Sequence, residues 1–150
     1  MFNQLMKFLG GGEWPSDSDE FNQLEVAVAA LLVEAARMSD RFDDAERLVI
    51  ERILSRSYDL PSDATARLLT AAEDADAGST QLFPFTHLIA ERMTPQQRVG
   101  VIEMLWETVY ADGSLSPDDD ALIRQVAGLI YVSDRDRGEA HLRVMRRLGL

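Results

Sequence analysis

The sequence predicts an all-α protein: a single bundle of about seven helices built from two related halves, with a short helix ahead of it. Three observations predict it. Apolar residues recur at helical spacing along nearly the whole chain, and no stretch of alternating β-branched residues competes with them. Capping residues and prolines cut that pattern into pieces of helix length. The pieces also repeat, residues 23–69 aligning with residues 96–142 at an offset of 73.

The elements follow in order. Phe2, Leu5, Met6 and Leu9 form an i, i+3, i+4, i+7 stripe on a short first helix, and Gly10, Gly11 and Gly12 with the acidic stretch after them read as a linker. Residues 1–18 are therefore set apart from a helical domain over 19–150. The first long helix is expected over about residues 19–38, and its middle is apolar nearly all round, which marks a helix enclosed on every side. Asp43 with Glu46 is a capping-box-like start for a helix to about Ser57. Pro61, Ser62 and Asp63 restart the chain into a helix ending near Ala77. Pro84 suits the first turn of a helix over 85–93. Thr94 with Gln97, Ser116 with Asp119 and Ser133 with Asp136 open three more, ending near Tyr110, Tyr131 and Leu148.

The repeat pairs Gln23 with Gln96, Leu32 with Leu105, Glu34 with Glu107, Ile50 with Ile123, Tyr58 with Tyr131 and Leu69 with Leu142, without a gap. Loops, caps and both tyrosines stay in register. Such halves pack about a pseudo-two-fold axis, with the two long apolar helices at the centre.

Composition limits the chemistry. At 150 residues the chain is long enough for one domain burying roughly two-thirds of its unfolded surface. A net charge of −11 argues against a nucleic-acid-binding surface. The absence of cysteine removes thiolate nucleophiles, disulfides, zinc fingers and iron–sulfur clusters. Two histidines remain, His87 and His141. The N-terminus lacks the apolar core and cleavage site of a secretory signal. The longest apolar run, residues 26–33, is far short of the roughly 20 residues that cross a bilayer. A cytoplasmic protein with no membrane span is expected.

The most informative stretch surrounds Asp112-Gly113. Asp112, Gly113, Leu115 and Asp119 match positions 5, 6, 8 and 12 of a calcium-binding EF-hand loop. Positions 1 and 3 are Thr108 and Tyr110, which cannot supply the closing carboxylates, so a working EF-hand is not expected. Turn architecture accounts for the same residues: Gly113 ends a helix, Leu115 staples the next, and Asp119 satisfies amides at its start. Residues 39–46 repeat the plan with Asp40 in the glycine place.

At these residues the chain resembles a family. A long apolar helix leading into Ala-Asp-Gly-x-Leu and then an acidic helix start, present twice, is similar to the TerB-like tellurite-resistance domain. The string from Leu105 through Trp106, Glu107 and Asp112-Gly113 to Leu115 carries the likeness best. Leu31 to Arg37 supports it, and Met38-Ser39-Asp40 departs from the family's Ala-Asp-Gly. The resemblance covers about residues 24–143. It implies an all-helical, non-enzymatic protein of bacterial tellurite or stress resistance that binds a divalent cation (Ca²⁺, Mg²⁺ or Mn²⁺) and acts with membrane-associated protein partners. Carried over residue by residue, the metal positions are Glu34, Asp40 and Glu46 in the first half and Glu107, Asp112 and Asp119 in the second. Ser39 in place of an aspartate puts the first set in doubt.

Other residues have plainer readings. Glu34 is the lone charge between Val26 and Ala36, so it must be paired, coordinated or protonated, with Arg37 and Arg41 as partners in reach. Glu103 and Glu107, one turn apart, read as a solvated flank rather than a ligand pair. His87 sits among apolar residues as a core or edge histidine, and His141 is expected to face solvent. The arginines of the last helix either balance acidic helices within the molecule or dock an acidic partner or anionic lipid. The stripe on residues 2–9 is too short to be helical alone, and docking on protein, within the chain or across a dimer, is favoured over a membrane.

A non-catalytic binding or scaffold protein is therefore expected, responsive to a divalent cation and without nucleic acid. The rivals are a purely structural interaction module without metal, and a hydrolase or lyase using buried carboxylates.

Overall fold

The structure, a computed structural model, describes residues 21–38, 43–77, 81–112 and 115–150. The expected helix over residues 2–9, its linker, and residues 39–42 with Asp40 and Arg41 lie outside the described residues, as does Gly113.

Among the described residues there are seven α-helices: α1 (Gln23–Met38), α2 (Asp44–Tyr58), α3 (Ser62–Ala77), α4 (Phe83–Arg92), α5 (Pro95–Val109), α6 (Pro117–Leu129) and α7 (Asp134–Leu148). A 3₁₀ turn, Tyr110–Asp112, follows α5. The bundle is all-helical.

Capping decides where most of these helices begin. The Asp43 side chain accepts the Glu46 amide at 3.0 Å, opening α2. Thr94 with Gln97 and Ser116 with Asp119 form reciprocal capping boxes at α5 and α6. Ser133 caps α7 through the Asp136 amide at 3.1 Å. The first long helix begins later than the expected residue 19. Asn22 accepts the Glu25 amide at 2.8 Å, and Glu25 accepts the Asn22 amide in return, so this pair sets the start.

The two apolar helices occupy the centre. Residues 26–33 of α1 are each at most 1% exposed. Helix α1 packs on α3 as α5 packs on α7, and α1 and α5 pack on each other. Across the halves, α2 reaches α5 and α6 reaches α1, the exchange a pseudo-two-fold arrangement demands, while α4 packs against α1 and α6.

The gapless register does not survive to the end of the repeat. The left-handed residue after α2 is Asp59 (φ 53°), and that after α6 is Tyr131 (φ 63°), which are 72 residues apart. The closing bonds agree: Leu60 donates to Ser55 O, and Val132 to Ala127 O. The turn that closes α6 comes one residue early, and buried Ile130 takes the inward place of Tyr58. Tyr131 is then left 77% exposed, whereas the Tyr58 hydroxyl is enclosed. The aligned pair Leu69 and Leu142 also separates, at 0% and 53% exposure. Buried Leu68 and Ala72 correspond instead to buried Ala140 and Val144.

Candidate functional site

Glu107 sits near the end of α5, 9% exposed, where the packing of α2 and α7 brings two guanidinium groups onto it. Arg56 Nη2 lies 2.7 and 2.6 Å from its two carboxylate oxygens, and Arg147 Nη2 lies 2.8 Å from Oε1. One turn earlier, Glu103 accepts from Arg143 at 3.2 Å and Arg147 at 2.7 Å. The hydrogen bond to Glu103 is the first cause that pushes the Arg147 pKa up, with the charges of both glutamates adding to it. The expected solvated flank is thus a five-residue ion network. Glu107 was placed among metal ligands by resemblance, yet both its oxygens are committed to arginine. The partners lie 51 and 40 residues away in sequence, so no spacing rule could have named them.

Asp119, 2% exposed at the start of α6, accepts the Ser116 amide through Oδ2 at 3.1 Å. Its Oδ1 is buried and has no hydrogen-bond partner among the described residues. The backbone of Asp112 closes the 3₁₀ turn after α5, and its side chain lies outside the described residues. The EF-hand positions 1 and 3 are consumed elsewhere. Thr108 donates to Met104 O at 2.9 Å within its helix, and the Tyr110 hydroxyl lies 2.7 Å from His141 Nε2.

In the first half, Glu34 is half-buried on α1 and shares a hydrogen bond with Asp76 of α3. Arg37 completes the group, its Nη1 2.6 Å from Asp76 Oδ2. The partner of Glu34 is therefore a carboxyl, behind which the arginine stands. Burial first, then the hydrogen bond to Glu34 and its charge, push the Asp76 pKa up to about 7, with Arg37 opposing. Sequence reasoning missed Asp76, because nothing local distinguishes it from the acids beside it. Glu34 also lines a cleft of about 550 Å³ between α1 and α6. Glu46, 8% exposed, contributes its amide to the cap of α2. Among the described residues, no group of three or more His, Asp and Glu side chains is placed to hold a metal ion.

His141 is half-buried rather than simply turned to solvent. It stacks on Trp106 with ring centroids 3.8 Å apart and planes 5° from parallel. The cover of the indole and the bond to Tyr110 were invisible in the Arg-rich sequence of α7. His87 is an edge residue, as expected, stacked on Phe83 at 5.1 Å and 3.2 Å from Glu91.

These features define a class: an all-helical domain whose two related halves cross at two buried apolar helices, each bearing one glutamate at the same place. A family model for the tellurite resistance protein TerB matches residues 25–142, and the chain belongs to the TerB family. No curated protein and no solved structure matches it.

Proposed function

We propose that this chain is a non-catalytic binding or scaffold protein of bacterial tellurite or stress resistance, acting through protein partners, and that its second turn responds to a divalent cation. Asp119 carries the cation part. A buried carboxylate oxygen without a donor has lost its hydration and gained nothing in return, and a cation at the adjoining turn restores what it lacks. Asp119 and Asp112 are the residues to hold Ca²⁺, Mg²⁺ or Mn²⁺, which would neutralise their charge and couple the turn to the start of α6. Glu107 is left out of the set because Arg56 and Arg147 already hold it. The same commitment supports a non-catalytic reading, since both oxygens of the Glu107 carboxylate are already held by guanidinium groups and neither is left for a substrate.

Thermal melts test the cation arm. Millimolar Ca²⁺, Mg²⁺ or Mn²⁺ should raise the midpoint, because a ligand at a hundredfold excess over its dissociation constant adds about 2.7 kcal/mol. Asp112→Ala and Asp119→Asn should each abolish the rise. No shift with any of the three ions overturns it and leaves these residues as turn formers.

One observation favours a hydrolase or lyase instead: Asp76, with its raised pKa, is bonded to Glu34 at the edge of a cleft. Tellurite survival of a host carrying Asp76→Asn separates the two. Undiminished survival keeps the non-catalytic reading, and loss of resistance by a folded Asp76→Asn protein overturns it.

A further inference from the structure

The two halves treat their matching glutamates differently. Glu107 receives Arg56 from α2 and Arg147 from α7. At the position of Arg56, α6 carries Leu129 by the offset of 73 in the helix body and Gly128 by the offset of 72 in its closing turn. At the position of Arg147, once the one-residue slip is counted, α3 carries Ala75. Both cations of the second half are therefore replaced by uncharged residues around Glu34. Asp76 does not make up the difference, since it brings a second carboxyl along with the charge of Arg37.

The surroundings of Glu34 are open and apolar. The cleft it lines has walls from Met38, Phe83, Leu122 and Leu129, and Asp118 also lines it. Met38 is 39%, Phe83 51% and Leu129 37% exposed, although each is large and apolar. Among the described residues, the cleft lining includes two acids and neither lysine nor arginine. A largely apolar cleft with two acids in its lining complements a segment that is apolar on one face and cationic at its edge.

We infer that this cleft docks a basic amphipathic helix of a partner protein, whose arginine or lysine closes on Glu34 as Arg56 closes on Glu107. Its apolar residues cover Phe83, Met38 and Leu129. The inference rests on the binding-protein reading above and names the surface and the chemistry of the partner. The internal duplication is the warrant: Glu107 lines a cleft of similar size, about 520 Å³, and there Arg56 and Arg147 supply the contact that the Glu34 cleft lacks among the described residues.

The test uses the full chain and a fluorescein-labelled helical peptide of leucine and arginine at i, i+3, i+4 spacing, titrated by anisotropy in EDTA. A peptide with glutamate in place of arginine is the control for shape. Excluding divalent ions keeps the result independent of the cation response, and a chain that supports resistance yet ignores the peptide loses only this inference. The basic peptide should bind and the acidic one should not. Glu34→Gln and Phe83→Ser should each weaken binding about tenfold. Leu129→Arg should do the same while raising the melting midpoint, because it supplies from within the guanidinium that the partner would bring. Unchanged binding by Glu34→Gln and Phe83→Ser overturns the inference, since a chain of net charge −11 attracts cationic peptides anywhere on its surface. Two other occupants are also read out. If Leu5→Asp raises peptide affinity, residues 2–9 of the same chain compete for the cleft and the partner reading falls. If light scattering shows a dimer that Glu34→Arg dissolves, a second copy is the occupant and it falls likewise.

Discussion

His141 of α7 lies flat on Trp106 of α5 at 3.8 Å, and its Nε2 meets the Tyr110 hydroxyl at 2.7 Å. One imidazole thereby joins the last helix to the end of α5, where the second turn begins. His141→Ala removes a stacked ring and a hydrogen bond and should cost about 1–2 kcal/mol by denaturant unfolding. His141→Phe keeps the ring and should recover most of that loss. A change within a few tenths of a kcal/mol for alanine would show that the stack contributes nothing.

The same contact makes stability depend on pH. Burial lowers the His141 pKa from its ordinary 6.5, against an opposing pull from Asp120. The folded chain therefore binds fewer protons at this ring than the unfolded chain between the two values. Its contribution is present above about 6.5 and is lost as pH falls through the folded pKa. His141→Phe should flatten that part of the stability profile, measured as denaturation midpoint from pH 5 to 8. An unaltered slope would remove His141 as its source.

Asp76 acts with the opposite sign. Its pKa is about 7 in the folded chain against 3.8 ordinarily, so folding takes up a proton between those values. The folded state loses stability from this group as pH rises from about 4 to 7. Asp76→Asn should therefore become progressively more stable relative to the parent across that window. A carboxyl titration near 7 that disappears in Asp76→Asn, followed by NMR, is the direct check.

Glu107→Ala leaves Arg56 and Arg147 facing each other across a vacated site. Removing one partner of a buried ion pair costs about 3–5 kcal/mol, and the exposure of both arginines reduces this to about 2. A double-mutant cycle with Arg56→Met should show coupling between the two positions. Additive losses would mean that the contact is present without contributing to stability.

Tyr131 holds a left-handed backbone with its side chain 77% exposed. Non-glycine residues are uncommon there, and the ring is not buried in exchange. Tyr131→Gly should stabilise the chain by about 1 kcal/mol, whereas Tyr58→Gly, one residue before the left-handed Asp59, should destabilise it. A loss of stability in Tyr131→Gly would show that the exposed ring has a contact worth more than the strain.

Most of the fold was legible from local signals. Thr94 with Gln97, Ser116 with Asp119 and Asp43 with Glu46 begin helices because a capping side chain bonds an amide three residues on. That relation is contained in a short stretch of sequence. The burial of residues 26–33 followed from their composition alone. The duplication was legible too, but its slip was not, because Tyr58 and Tyr131 match as letters while the turn closing α6 comes one residue sooner.

The candidate site was legible only as a set of acids. Sequence by itself determined that Glu34 and Glu107 occupy equivalent places on two apolar helices, and that Ser116 with Asp119 opens α6. Tertiary structure decided what each acid meets: two arginines for Glu107, Asp76 for Glu34, and, among the described residues, no donor for one oxygen of Asp119. The physical reason is range. Helix spacing and caps are set by hydrogen bonds over three or four residues, whereas the ion pairs on Glu107 and the contact of His141 with Tyr110 join residues 31 to 51 apart. Their partners exist only once helices have packed.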